Sequence, residues 1–188
     1  MSAKVLNIVS VVFSICAFAF FIIGCIGYAS TERTLRNTAW VTSDDHGFQL
    51  WANLEGLYVE DNGSNFRAHY SDCNNDTCDT CLMNGNAAFG LLLVATTFAS
   101  FTIVLSGILI SSPSAMVQLA STFTSFISGC FSLIGFALFM GTCYFKIEDE
   151  FPGKSIHYGP GSIITLLGLL MMWVTVFFQI GAVAMGGK

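Results

Sequence analysis

The chain has 188 residues, of which 54% are hydrophobic and only 10% charged, with a formal net charge of −5. That apolar excess excludes an ordinary soluble domain and indicates an integral membrane protein. The acids concentrate in residues 32–79, and an acidic chain of this kind speaks against nucleic acid as a partner.

A bilayer's hydrocarbon core takes about 20 helical residues. The first uncharged apolar run, residues 5–28, reaches that length. It exceeds the apolar core of a cleaved signal peptide, so it reads as a retained helix even though Ala29 and Ser30 follow it. Residues 80–145 contain no charged side chain and are long enough for two crossings. Ser111, Ser112, Pro113 and Ser114 lie near the middle, and Pro113 lacks a backbone donor and disfavours helix before it. The run therefore divides into helices at about 87–110 and 116–145 joined by a tight hairpin, and a fourth helix covers 161–185. The expected architecture is a single four-pass domain, a membrane four-helix bundle, with residues 29–86 and 146–160 on one side and both termini on the other.

No Asp, Glu, Lys, Arg or His falls inside these spans, which argues against a proton relay, a voltage sensor or intramembrane catalysis. Gln179 is the main polar exception and is expected to hydrogen-bond to a neighbouring helix. Ser125 and Gly129, four residues apart, and Ser10 with Ser14 offer small surfaces on which helices of this chain pack closely. Cys16, Cys25, Cys130 and Cys143 lie within helices, where cysteine packs as a small apolar residue.

Residues 29–86 form a connection too long to lack structure. The aromatic and apolar stretches 48–54 and 56–59, with Phe66, Ala68 and Tyr70 alternating with Arg67 and His69, predict a small antiparallel sheet. Asn62-Gly63-Ser64 and Asn75-Asp76-Thr77 are N-glycosylation sequons. Cys73, Cys78 and Cys81 cluster beside the second, and one disulfide is expected, Cys73 with Cys78 or with Cys81, leaving an odd thiol. With His69 these cysteines also have the spacing of a tetrahedral zinc site, the sharper alternative. Basic residues alone, Lys4 and Lys188 against Arg33, Arg36, Arg67, Lys146 and Lys154, would put the termini outside. The sequons and clustered cysteines weigh the other way and put both connecting segments outside, with cytoplasmic termini.

Trp40, followed by Glu55-Gly56-Leu57-Tyr58, resembles the tryptophan and the Glu-Gly-Leu-Trp stretch in the first extracellular loop of claudins, with Tyr58 in place of the second Trp. Phe151-Pro152 and Tyr158-Gly159-Pro160-Gly161 before the last helix fit the same comparison, as do the helix count and the long first and short second loops. The wider superfamily holds claudins, the peripheral myelin protein group and auxiliary subunits of calcium channels and glutamate receptors, and this chain resembles a divergent member. The resemblance implies a non-enzymatic protein without a cofactor, its outer sheet lying over the bundle and held by Trp40, Glu55, Gly56, Leu57 and Tyr58. Without the resemblance, such aromatics read as an interfacial belt. Three departures stand out. Asp61 occupies the place of the first claudin loop cysteine, the hairpin between the second and third helices is short and uncharged, and the chain closes on Met185-Gly186-Gly187-Lys188 without the hydrophobic end that scaffold domains capture.

The function so implied is protein contact through the outer loops, with the protein itself or another membrane protein, in cell adhesion or a paracellular barrier or ion path at the plasma membrane. Asp44, Asp45, Glu60 and Asp61 would then draw cations and repel anions. The alternative is an accessory subunit of a channel, receptor or other large membrane complex. In an internal membrane the sequons would go unused and the cysteines could bind metal.

Overall fold

The computed structural model describes residues 3–26, 31–45, 47–73 and 75–186. The protein is mostly helical, with one small antiparallel sheet. Among the described residues, four helices are long and apolar enough to cross a membrane: Ala3–Ile26, Asp76–Ser111, Ala115–Glu150 and Pro160–Met185. The elements in order are α1 (Ala3–Ile26), α2 (Glu32–Thr38), β1 (Val41–Asp45), β2 (Phe48–Ala52), β3 (Gly56–Asp61), β4 (Ser64–His69), α3 (Asp76–Ser111), α4 (Ala115–Leu138), α5 (Tyr144–Glu150), β5 (Ile156–Tyr158) and α6 (Pro160–Gly186). A π-helical turn, Phe139–Cys143, carries α4 directly into α5.

Two boundaries differ from those read in the sequence. The second long helix starts at Asp76 rather than at 87, and the third runs to Glu150 rather than 145. Hydropathy marks the stretch that suits lipid, whereas a helix starts where its first amides find a cap. Here Asn75 Oδ1 accepts from the Cys78 amide at 2.7 Å, and Asp76 and Asp79 place negative charge in the first turn. The connection between the first two spans is correspondingly shorter. The α3–α4 hairpin turns at Ser112-Pro113-Ser114, as Pro113 demands.

The chain divides into two compact units. One holds residues up to Ile22, Leu93–Leu133 and from Leu166 onward; the other holds Ile23–Leu92 and Ile134–Thr165. In the first, helical segments bury Leu6, Phe21, Ala95, Ala99, Met172 and Val176 while exposing Val12, Val104, Phe123 and Phe177. An apolar exterior on helices whose backbone bonds are internally satisfied is what a lipid solvent allows.

The second unit contains the sheet, in strand order β4-β3-β2-β1-β5. Every pairing is antiparallel. Asn62 and Gly63 both take positive φ, 51° and 85°, forming the two-residue turn whose twist suits a β3–β4 hairpin. The three strands read from the sequence are β2, β3 and β4. Helix α2 and strands β1 and β5 were not legible, because α2 is too short for periodicity and β5, three residues long, exists only through its pairing with β1.

Candidate functional site

Alternation along the strands gives the sheet two faces. Val41, Ser43, Phe48, Leu50, Ala52, Leu57 and Ala68 are buried on one. Paired residues share a face, so the register puts Asp44, Gln49 and Glu60 in one cross-strand row on the other, with Thr42, Trp51 and Tyr58 in the next row on that face. Helix α2 lays Arg36 over this second face. Its guanidinium lies 4.2 Å above the Trp51 ring, 3.4 Å from Gln49 Oε1 and 3.8 Å from Glu60 Oε2. Trp51 in turn packs on Tyr58 with ring centroids 5.4 Å apart.

The four acids singled out in the sequence gather at one end of the sheet but divide between its faces. Asp44 and Glu60 flank Gln49, and Asp45 and Asp61 flank Phe48 in the adjacent row. Asp44 accepts from Gln49 Nε2 at 3.3 Å, Asp61 accepts from Asn62 Nδ2 at 3.0 Å, and Glu60 is offset by Arg36.

Trp40 is fully buried, its indole N–H directed at Gly24 O, 3.4 Å away, and its ring edge-on to Phe139 at 5.3 Å. Leu57 and Tyr58 are buried in β3, so the residues of the motif do not form a lipid-exposed belt. Between β2 and β3, buried Asn53 organises the turn by accepting from the Glu55 and Gly56 amides at 3.0 and 2.9 Å. A Cβ on Gly56 would stand 2.6 Å from Ala68 O, so side chains there are excluded by the neighbouring strand. Glu55 Oε1 lies 3.3 Å from His69 Nδ1.

What holds that turn down was not legible in the sequence. Gly85 on α3 meets the Leu54 backbone so closely that an added Cβ would overlap the Leu54 carbonyl oxygen and stand 2.9 Å from its carbon. Tyr70, fully buried, donates to Asn53 O at 3.1 Å, and burial pushes its phenol well above the ordinary range. The lead-in to α6 is fixed likewise, Gly159 and Gly161 amides donating to Trp40 O and Ala39 O at 2.8 Å.

Two disulfides staple this unit, Cys73–Cys78 and Cys81–Cys143, with Cα separations of 6.0 and 4.9 Å. The first is one of the two pairings anticipated. The second corrects two expectations: Cys81 is not an odd thiol, and Cys143 is not a packing cysteine. Cys143 sits in the apolar run of the third long helix, so only the fold brings it to Cys81. The His69-Cys73-Cys78-Cys81 zinc series is thereby split between two disulfides, which removes its thiolate donors. Among the described residues no group of three or more His, Cys, Asp or Glu side chains is placed to hold a metal ion.

Asn62 of the first sequon lies at the exposed β3–β4 turn. Asn75 of the second caps α3, and the Thr77 hydroxyl donates to Glu150 Oε2 at 3.0 Å.

In the other unit, Gln179 is fully buried. Its amide donates to Ser106 and Ser121 Oγ at 3.0 and 2.7 Å, and its Oε1 accepts from Ser125 Oγ at 2.6 Å. Ser125 therefore hydrogen-bonds within the chain, joining α4 to α6. Gly129 lies against the Trp173 ring, where a Cβ would stand 3.3 Å from Cε2.

No protein-family model matches the chain, and no curated protein matches it.

Proposed function

We propose that this is a non-enzymatic, claudin-like four-pass membrane protein whose sheet is a rigid platform for protein contact outside the cell, in adhesion or along a paracellular ion path. The observation that carries the reading is the two-faced sheet. One face is buried at Val41, Ser43, Phe48, Leu50, Ala52, Leu57 and Ala68 and exposed at its edge, at Asp61 and Phe66, while the other presents Asp44, Gln49, Trp51 and Glu60 under Arg36, on a unit held by two disulfides. Disulfides of this kind suit an oxidising compartment, as do the sequons at Asn62 and Asn75, which supports cytoplasmic termini and a plasma-membrane location. Aromatic and arginine side chains together are the composition from which interface anchors are drawn. The partner is a second copy or another membrane protein.

The acidic end of the sheet, Asp44, Asp45, Glu60 and Asp61, supports a preference for cations, with the share of Glu60 reduced by Arg36. The test is expression in cells that lack junctional contacts. The protein should gather at cell–cell borders and aggregate the cells, and its purified form should contain this chain alone. Dilution potentials across expressing monolayers should shift towards cations, and Asp44→Asn, Asp45→Asn and Asp61→Asn together should abolish the shift. A stoichiometric second protein on purification, with no aggregation, would replace this reading by that of an accessory subunit of a larger complex.

A further inference from the structure

At the end of the first unit where Ser112-Pro113-Ser114 reverses the chain, the helices leave a cavity of about 360 Å³. That falls at the small end of the roughly 300–1,000 Å³ range of ligand pockets. Its wall includes Leu109, Leu119 and Ala182, with Asn7, Ser114 and Gln118 as the polar members, and among the described residues no lining side chain carries a charge. Asn7, only 4% exposed, is on α1, and its Oδ1 has no hydrogen-bond partner among the described residues. A buried amide oxygen left unpaired is destabilising, so the fold retains an acceptor that its described residues do not satisfy.

The turn between two spans lies at the boundary of hydrocarbon and headgroups, where amphiphiles carry their polar ends. We propose that this cavity binds an uncharged membrane amphiphile by its hydroxyl, the hydroxyl donating to Asn7 Oδ1 and the apolar body lying against Leu109, Leu119 and Ala182. As the side chain stands the oxygen is shielded, but the terminal torsion of an Asn amide is broad, so a donor entering the cavity draws Oδ1 to it. Anionic headgroups are disfavoured because the described wall offers no countercharge to a desolvated phosphate. The site is separate from the sheet and does not depend on the contact role proposed above.

The experiment uses the full chain in bilayers with three photoactivatable probes: a cholesterol analogue, a monoacylglycerol and a phosphatidic acid. Crosslinks are mapped by mass spectrometry. One or both neutral probes should label peptides around Asn7 and Gln118, and an excess of the unlabelled lipid should suppress that label. The cholesterol arm alone would make the ligand a sterol, and the monoacylglycerol arm alone a glyceride. Asn7→Leu should weaken labelling about tenfold, Ala182→Phe should fill the cavity and remove it, and Phe123→Leu, on the exposed surface, should leave it unchanged. Label spread evenly over the exposed spans, label that resists competition in the unmutated protein, equal labelling by phosphatidic acid, or no label at all would overturn the proposal.

Discussion

Removing the Cys81–Cys143 bond should destabilise the protein more than removing Cys73–Cys78, and by an amount the chain separations set. The bonds close loops with sequence separations of 62 and 5. In the chain-entropy description they lower the unfolded state's freedom by ~4 and ~2 kcal/mol respectively, so the paired-alanine variants should differ by ~2 kcal/mol. Helices that persist in detergent shorten the effective larger loop and reduce its figure, while burial acts the other way: Cys81 and Cys143 are fully enclosed, so their loss also leaves a cavity. Both variants, Cys81→Ala with Cys143→Ala and Cys73→Ala with Cys78→Ala, would be titrated from mild detergent into sodium dodecyl sulfate, following tryptophan fluorescence. Trp40 is a suitable reporter because it is enclosed in the same unit. A preliminary alkylation should count three thiols in the denatured, unreduced protein, Cys16, Cys25 and Cys130, and seven after reduction. Equal midpoint shifts for the two variants, or more than three thiols before reduction, would refute the reasoning.

Gly85→Ala on α3 should destabilise by more than about 3 kcal/mol in the same titration, because the Leu54 backbone has to move. Gly90→Ala on the same helix, with nothing within 4 Å of the new Cβ, should instead stabilise by about 0.5–1 kcal/mol through helix propensity. Gln179→Leu removes three side-chain hydrogen bonds at bilayer depth and at about 0.6 kcal/mol each should cost ~2 kcal/mol, measured by the same midpoint. Tyr70 gives a pH dependence. The unfolded phenol ionises near pH 10 whereas burial keeps the folded one protonated, so above pH 10 the unfolded state binds fewer protons and stability falls as pH rises. Its share of that fall is about 1.4 kcal/mol per pH unit, and Tyr70→Phe should remove it while losing about 1 kcal/mol at neutral pH, read by comparing alkaline unfolding of the two proteins.

Composition and breaks in it were enough to obtain four spans, the Pro113 hairpin, strands β2, β3 and β4 and the structured character of the long connection. Those properties depend on local quantities: the length of an uncharged run, the backbone limits of proline, and alternation along a strand. Gln179 was legible too, since an amide at bilayer depth must find partners on another helix. Cys143 was not, because a cysteine inside an apolar run looks the same whether it packs against side chains or bonds to Cys81. Neither was Gly85, whose role exists only where Leu54 approaches it, nor β5, which is a strand only because β1 lies beside it. The sheet's free face, the division of its acids and the cavity beside Asn7 likewise come from contacts between residues distant in sequence, and such contacts are settled by tertiary packing alone.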